Sequence, residues 1–530
     1  MPLRESATPN TPPEGPGILA SICRKFGADP SILDLNAYRI KDDLAIERGV
    51  PNGRHLTYSE AEDLIAQHLT NCGDQDIFAF SGKITTMRWQ EEIAKIVRKL
   101  QPDSFIVTGG GLATEIKEGL FGWIPELDAI GRSEGDNIIT DILQDVKSLK
   151  AGISPEKISS SVGVINGKAR FKYEGGRPSD LDEIPYAALD LLEKDPYGVN
   201  ILEQYIKIPV WGVEANNSSA ASFKTKRSLT TVSSRGCPYA CTFCYRGAQG
   251  ERNYGMRSPE HIARQVREYV DKYDLDFIGF PDDNFAVDKR RIKALVPVFK
   301  EYGLDKVRWG THTRMDEADQ RIFDMAESGC VYIGFGAESA SPVTLEHMKK
   351  GGFILRNGLT PTEVHGKVYE FPTTMVNAIK NCRKSGIHGN CTWIMGYPQE
   401  TLEDLKISVA FIKWQQEFWT EGLEKGTPEY QTMHDSVNRA MFTATAYPGT
   451  EMWKEVRPQL HEHFGINFDV LGNPICDDFF HQYILELDDA TKILNNSKGE
   501  PVNYSAMPLD VFLEARGYID NDELTKVLEM

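Results

Sequence analysis

Ser233-Ser-Arg-Gly-Cys237-Pro-Tyr-Ala-Cys241-Thr-Phe-Cys244-Tyr-Arg246 places three cysteines at C-x3-C-x2-C spacing. Thiolates this close can converge on one metal centre without help from distant segments. No fourth Cys or His follows before His261. A structural zinc site closes with four ligands. A 4Fe–4S cluster held by three thiolates keeps one iron open for a substrate or cofactor. Two other readings stand beside it: a zinc site borrowing a distant fourth ligand, and three cysteines buried in a core.

Outward from the cysteines the sequence alternates between strands and helices. SLTTVSS (228–234) reads as a strand leading into them, and SPEHIARQVREYVDKY (258–273) as a helix with Ser258 as N-cap and Pro259 in its first turn. LDFIGF, KVRWGTHT, VYIGFGAE and CTWIMGY read as later strands, each followed by helical sequence, and TATAYPG (443–449) as the sixth. This predicts a partial (β/α)6 barrel over 227–455, with functional groups at the C-terminal strand ends. Asp282, Asp283 and Asn284 fall at such an end, as do Arg314, then Glu338 with Ser339, then Gly396-Tyr-Pro-Gln-Glu400-Thr401. Singly these also read as a solvated turn, an ion pair or a helix start. In register with the strands they ring one cavity.

The N-terminal half shows the same alternation. GILASICRKFG, EAEDLIAQHL, WQEEIAKIVRKL and NIITDILQDVKSL read as helices. SILDLNAY (31–38), DIFAFSG and SFIVTGGG read as strands, and SVGVINGKARF as a closing hairpin around Asn166-Gly167. The expectation is an α/β chain: a disordered 1–17, a Rossmann-like domain over 18–175, a Pro-rich linker over 176–226, the barrel, and a small C-terminal extension over 456–530. Residues 351–374 read as a long insertion, either a surface excursion or a substrate lid offering His365 and Tyr369.

Composition narrows the function. Hydrophobic content of 41% with 10% aromatics is that of packed globular protein. No apolar run is long enough for a membrane span, and the polar, Pro-rich N-terminus does not read as a signal peptide. The six other cysteines are scattered, which fits reduced thiols and a cytoplasmic location. A net charge of −18 argues against nucleic acid as partner, because a phosphate backbone would be repelled. The short basic segment at Lys224 reads as a linker edge.

Cys237-x3-Cys241-x2-Cys244 after a first strand resembles the signature of the radical S-adenosylmethionine (SAM) superfamily. Arg257-Ser-Pro-Glu260, Phe280-Pro-Asp-Asp-Asn-Phe285, Gly334-Phe-Gly-Ala-Glu338-Ser339, Gly396-Tyr-Pro-Gln-Glu400-Thr401 and Pro448-Gly-Thr450 are similar to its branch with an N-terminal cobalamin-binding-like domain. The resemblance implies a 4Fe–4S cluster on the three cysteines whose open iron chelates SAM. Reductive cleavage of SAM would then release a 5′-deoxyadenosyl radical that takes hydrogen from an unactivated carbon. It also implies residue roles. Phe243 would lie near the adenine, Asp282, Asp283 and Glu338 with Ser339 would serve the amino and ribose groups, Arg314 would sit near the carboxylate, and the Gly396 loop would pack on the adenine. An electron donor such as flavodoxin or ferredoxin and a small-molecule substrate follow from the same resemblance.

In the first domain Ser81-Gly82-Lys83, Gly109-Gly110-Gly111 and Gly131-Arg-Ser-Glu134-Gly135 are similar to the corrin-facing strand ends of cobalamin modules. Asp34-Leu-Asn36 stands where the classical motif has Asp-x-His, so no histidine is offered to cobalt. Cobalamin-dependent C-methylation is therefore one outcome. A cobalamin-independent rearrangement, oxidation or cyclisation on an inherited scaffold is another. A methylthiotransferase would need three more cysteines in a domain that holds only Cys23 and Cys72. A structural metal-binding protein is the non-enzymatic reading.

Overall fold

The computed structural model describes residues 9, 11–41, 43–47, 49–208, 225–245, 254–489 and 492–530. Part of the 176–226 linker, including Lys224, and most of the leading Pro-rich stretch lie outside the described residues. The chain divides into two compact units. The first runs to Lys207 and takes in Gly465–Asp489. The second holds the remaining described residues up to Phe464 and the C-terminal stretch to Met530. The sequence read as one C-terminal extension is thus shared between them.

The first unit is a five-stranded sheet in the order β1 (Ile77–Ser81), β2 (Phe105–Gly109), β3 (Ala129–Arg132), β5 (Lys168–Glu174), β4 (Ser161–Ile165). Only β4 is antiparallel, closing the sheet as the hairpin partner of β5. Phe105 and Val107 of β2 pack with Ile138, Ile142 and Val146 of the helix Gly135–Lys150 and with Phe171 of β5.

Two expectations are corrected here. Residues 31–38 form no strand. The Asp34 carboxylate accepts from the Asn36 N–H at 3.0 Å and from the Tyr205 hydroxyl at 2.6 Å, and Ala37–Arg39 turns as a short 3-10 helix. Local side-chain bonds of this kind compete with a ladder. The helix Glu14–Phe26 also begins inside the stretch expected to be disordered. Ile18 buries against Leu181 and Ile184, and Gly17 is so close to Ala187 that an added Cβ would lie 2.8 Å from its Cβ.

The second unit is built on six parallel strands in the order β15 (Met441–Thr443), β14 (His388–Met395), β11 (Cys330–Glu338), β10 (Arg308–Arg314), β9 (Phe277–Phe280), β6 (Ser228–Thr230). Every strand lies beside its sequential neighbour, with helices in the connections. The sixth strand ends where TATAYPG begins, because Ala444 to Gly449 leave the sheet as a turn. Ser258 caps the helix Pro259–Tyr273 by accepting from the His261 N–H, as read. A two-residue bridge joins β7 (Ser234–Arg235) to β8 (Gly255–Met256).

The insertion folds as an antiparallel hairpin, β12 (Leu359–Val364) and β13 (Lys367–Pro372). Its buried Phe371 packs on Phe411 and Trp414 of the helix Leu402–Thr420. His365 at the tip faces Glu529 at 3.4 Å, and Lys367 lies over the Tyr369 ring. The hairpin is therefore a surface excursion on the helical layer. His365 and Tyr369 are spent on structural contacts.

Candidate active site

The cysteine loop is strapped to the barrel through its middle residue. Thr242 N–H donates to Met348 O at 3.0 Å, and Met452 N–H donates to Thr242 O at 2.9 Å. The Thr242 hydroxyl shares a 2.6 Å bond with the buried Tyr397 hydroxyl. These bonds fix a loop whose own sequence has no regular structure. Cys237 and Cys241 are half-buried. Cys244 keeps exposed surface, yet its thiol is packed closely enough that desolvation, with neighbouring Cys241 and Cys237, pushes it up to about 12. Cys237 is raised by burial in the same way. By contrast, Cys330, Cys382 and Cys391 are buried in the fold of the second unit.

A cation faces this loop. Arg314, at the end of β10, donates from Nη1 to Cys241 Sγ at 3.4 Å, and its guanidinium lies 4.0 Å above the Tyr239 ring. Asp316 holds the same guanidinium through Nε at 2.8 Å. Tyr239 in turn donates to the buried Glu317 at 2.9 Å, which also accepts from Asn284 and Thr313. Burial raises the Tyr239 hydroxyl, so it stays protonated and donates.

The paired aspartates divide their work. Asp282 is fully sealed and accepts from Ser233 N–H at 2.8 Å and from the hydroxyls of Ser233 and Ser234 at 2.6 and 2.5 Å. Desolvation raises its carboxyl, opposed by Arg291. It ties the end of β9 to the segment after β6. Asp283 is exposed and accepts from Gly236 N–H at 3.1 Å, immediately before Cys237.

Glu338 and Ser339 also part ways. Glu338 sits in the left-handed region, φ 65°, and pairs with Lys350 at 3.1 Å. Backbone held there by a bulky residue is sparsely populated and clusters at functional sites. Lys350 also lies 5.9 Å from the Phe243 ring centroid, so pair and cysteine loop adjoin. Ser339 turns the other way, 3.1 Å from the Ser408 hydroxyl on the helix Leu402–Thr420. Gly396, φ 78°, donates to Glu400 at 2.7 Å, and a Cβ there would strike Phe512 at 2.9 Å. Burial pushes Glu400 up to about 8.

Sequence reading missed Tyr239, Glu317, Lys350 and Tyr397 as parts of this surround. Tyr239 and Tyr397 lay inside quoted motifs, between two cysteines and directly after Gly396, and those places were the available signal. Glu317 and Lys350 carry no periodic or motif signal of their own.

In the first unit, register brings the candidate strand ends together. Ser81 pairs with Gly109, and β3 follows beside β2. Ser81 is exposed, and Gly109 has only Gly131 O within reach of an added Cβ, at 3.6 Å. Gly110, φ 88°, packs on the Gly82 carbonyl, where a Cβ would fall at 2.8 Å. Glu134 precedes the helix Gly135–Lys150 and meets Arg177 at 3.5 Å. This row of small residues at parallel strand ends suits a flat ligand. Asn36 sits on the turn before the 3-10 helix Ala37–Arg39, not at a strand end. It is buried, with its N–H on Asp34 and its side chain beside Tyr205.

Residues 231–412 match the family profile of the Radical SAM superfamily. That stretch, which holds the cysteine loop and most of the parallel strands, is a radical SAM domain. An uncharacterized methyltransferase of Pyrococcus horikoshii is 27% identical over 401 residues, 75% of this chain and 72% of its own length. The fold is similar to that of the radical SAM methyltransferase TsrM from Kitasatospora setae, solved with cobalamin and a [4Fe–4S] cluster. There the TM-score is 0.55 at 15% identity, covering 85% of this chain and 76% of TsrM. The cobalamin-dependent SAM radical enzyme OxsB gives a TM-score of 0.58 at 16% identity, covering 90% of this chain and 64% of OxsB. Among the described residues no helix is long and apolar enough to cross a membrane.

The radical SAM cysteine loop suits its cluster chemically: three soft donors share one loop, with a guanidinium against one sulfur. Among the described residues no three His, Cys, Asp or Glu side chains converge as one metal ion requires. A cubane spreads its thiolates over separate irons and does not ask for that convergence.

Proposed function

We propose that this radical SAM enzyme is a cobalamin-dependent methyltransferase acting on an unactivated carbon of a small molecule. The observation that carries the reading is the three-cysteine loop strapped to the end of a six-stranded parallel barrel, with Arg314 on Cys241. TsrM and OxsB, whose fold this chain shares, are cobalamin enzymes, and the small strand ends Ser81, Gly109 and Gly110 suit a corrin face. When bound, the cluster supplies the electron that cleaves SAM and the corrin supplies a methyl carrier.

The chain's residues bind and orient. Cys237, Cys241 and Cys244 hold the cluster, and Arg314 offsets their negative charge. Asp283, which is exposed, and Glu338, which keeps part of its surface beside Lys350, meet the polar groups of SAM, Phe243 lies beside them, and the loop at Gly396 packs on the adenine. Asp282 and Ser339 position these residues without touching SAM. Glu134 with Ser81, Gly109 and Gly110 serves the corrin, and Asn36 takes no part. A flavodoxin or ferredoxin in the cytoplasm is the electron donor. The test is anaerobic reconstitution with iron, sulfide and hydroxocobalamin, followed by SAM and dithionite. Stoichiometric corrin absorption together with 5′-deoxyadenosine is expected. Cluster without corrin removes the methyl-carrier half of the reading, and no nucleoside product removes the whole.

A further inference from the structure

The helix Leu402–Thr420 is covered on several sides, and one of them holds a cleft. Phe411 and Trp414 meet Phe371 of the β12–β13 hairpin. Gln415 turns to the sheet, where its amide donates to Gly389 O at 3.0 Å. Lys413 and Gln416 are three residues apart and so are neighbours on the helix surface. With His434 of the helix Pro428–Asp435 and the turn from Asp522 into the helix Leu524–Glu529, they line a cleft of about 250 Å³.

This cleft is remote from the cysteine loop. Gly389 stands at the start of β14, and Thr401 caps the far end of the helix, about 22 Å from Gln416 at 1.5 Å per residue. Lys413 and Gln416 therefore lie toward the N-terminal ends of the strands, whereas Arg314 and the strap on Thr242 lie at the C-terminal ends.

Most of the charge lining the cleft is already matched. Asp522 meets Arg439 at 2.9 Å, Glu523 meets Lys526 at 2.7 Å, and His434 meets Asp435 at 3.2 Å. Lys413 is half-buried and has no ion pair among the described residues. Gln416 is only 3% exposed, and its side-chain amide makes no hydrogen bond among the described residues. Buried polar groups are nearly always bonded, and an amide brings one acceptor oxygen and two N–H donors to be satisfied. A sealed amide without a protein partner, beside an unpaired ammonium at the wall of a cleft, is provision for a ligand.

We infer that this cleft binds a small α-hydroxy or α-amino monocarboxylate, with Lys413 on the carboxylate and Gln416 on the adjacent hydroxyl or amino group. One uncommitted ammonium balances one negative charge. A phosphate dianion would leave a charge unmatched beside Asp522 and Glu523, and desolvating it would be costly. The volume bounds the ligand too, since pockets for drug-sized molecules hold roughly 300–1,000 Å³. Buried Leu524 borders the cleft with apolar surface.

Calorimetric titration of the reconstituted full-length protein tests this, with L-serine, L-alanine, L-lactate and glycolate as probes and inorganic phosphate as the control anion. At least one of the four carboxylates should bind with a Kd below about 1 mM. Lys413→Met should weaken that binding by about tenfold or more with the denaturation midpoint unchanged, and Lys413→Arg should keep part of it. Gln416→Met replaces the amide by an apolar chain of similar shape. It should weaken binding by about as much, while the ligand-free midpoint stays at or above that of wild type.

Four silent titrations overturn the inference, as does phosphate binding as tightly as the carboxylates. So does a K413M that binds like wild type, because the ligand would then sit elsewhere. A Q416M that folds less stably than wild type shows the amide serving the fold and overturns its part in the site. If Q416M does not fold at all, K413M decides the site by itself.

Discussion

Arg314 touches Cys241 and Asp316 with one guanidinium: Nη1 lies 3.4 Å from the sulfur and Nε 2.8 Å from the carboxylate. Both Arg314 and Asp316 are nearly sealed from water, at 7% and 4% side-chain exposure. Removing one partner of a buried pair strands the other charge, at a cost of about 3–5 kcal/mol. Arg314→Ala should therefore destabilise cluster-free protein by about 3 kcal/mol in denaturant titration and retain less iron after reconstitution. Arg314→Lys should fall between, because it keeps the charge and loses the planar fork.

The six cysteines of the second unit separate cleanly by environment. Cys237→Ala, Cys241→Ala and Cys244→Ala should each reduce iron and sulfide to background and abolish SAM cleavage, with little change in the stability of cluster-free protein. Cys330→Ala, Cys382→Ala and Cys391→Ala should do the reverse. Each thiol is buried against strand and helix, so truncation lowers stability by about 1–2 kcal/mol while iron binding stays intact. Iron analysis and urea titration on the same six variants decide it.

Much of this was legible in the sequence because it is periodic or local. Five of the six barrel strands and the cysteine motif could be read from alternating apolar runs and from spacing, while the sixth lies at Met441–Thr443, just ahead of the TATAYPG run read for it. SILDLNAY misled because its apolar residues suit a strand, while Asp34 and Asn36 bond their own backbone and Tyr205, far along the chain. Asp282 and Asp283 are adjacent and identical in type, so sequence could not show that one is a buried strut and the other exposed beside Gly236. Lys350 reaches Glu338 only because β11 and the helix after it fold back, a contact that no local pattern encodes.

Glu400 gives the fold a pH dependence. The unfolded carboxyl titrates near 4.5, and burial raises the folded one to about 8. The folded protein therefore holds a proton that the unfolded chain releases between those values. This contribution is full below pH 4.5 and is lost as pH rises through 8, on the order of 4 kcal/mol in all. Glu400→Gln should flatten the fall in stability between pH 5 and 8.5, measured by denaturant midpoints. A slope equal to wild type would mean that Glu400 ionises freely.

The hairpin β12–β13 should behave as structure. Phe371 is fully buried against Phe411 and Trp414, so Phe371→Ala should cost about 3–5 kcal/mol. His365→Ala removes a pair whose partners are 48% and 61% exposed, and should change stability by less than about 0.5 kcal/mol. Neither should alter the affinity of the folded protein for SAM. A His365→Ala variant with normal stability and impaired SAM turnover would restore the lid.

Asp282 and Asp283 offer the sharpest division of labour. Asp282 is the acceptor for one backbone N–H and two hydroxyls in a sealed site beside Arg291, so Asp282→Ala leaves donors and a cation uncompensated. The expected loss is about 3–5 kcal/mol. Asp283 is exposed and accepts one bond from Gly236, so Asp283→Ala should cost about 1 kcal/mol or less. Its proposed contact with SAM predicts the opposite order in binding: at least tenfold weaker SAM affinity for D283A by equilibrium dialysis on cluster-loaded protein. Folded D282A should bind SAM within a few-fold of wild type. If both variants lost affinity equally and stability equally, the two carboxylates would be one unit, and the strut and the ligand could not be told apart by position.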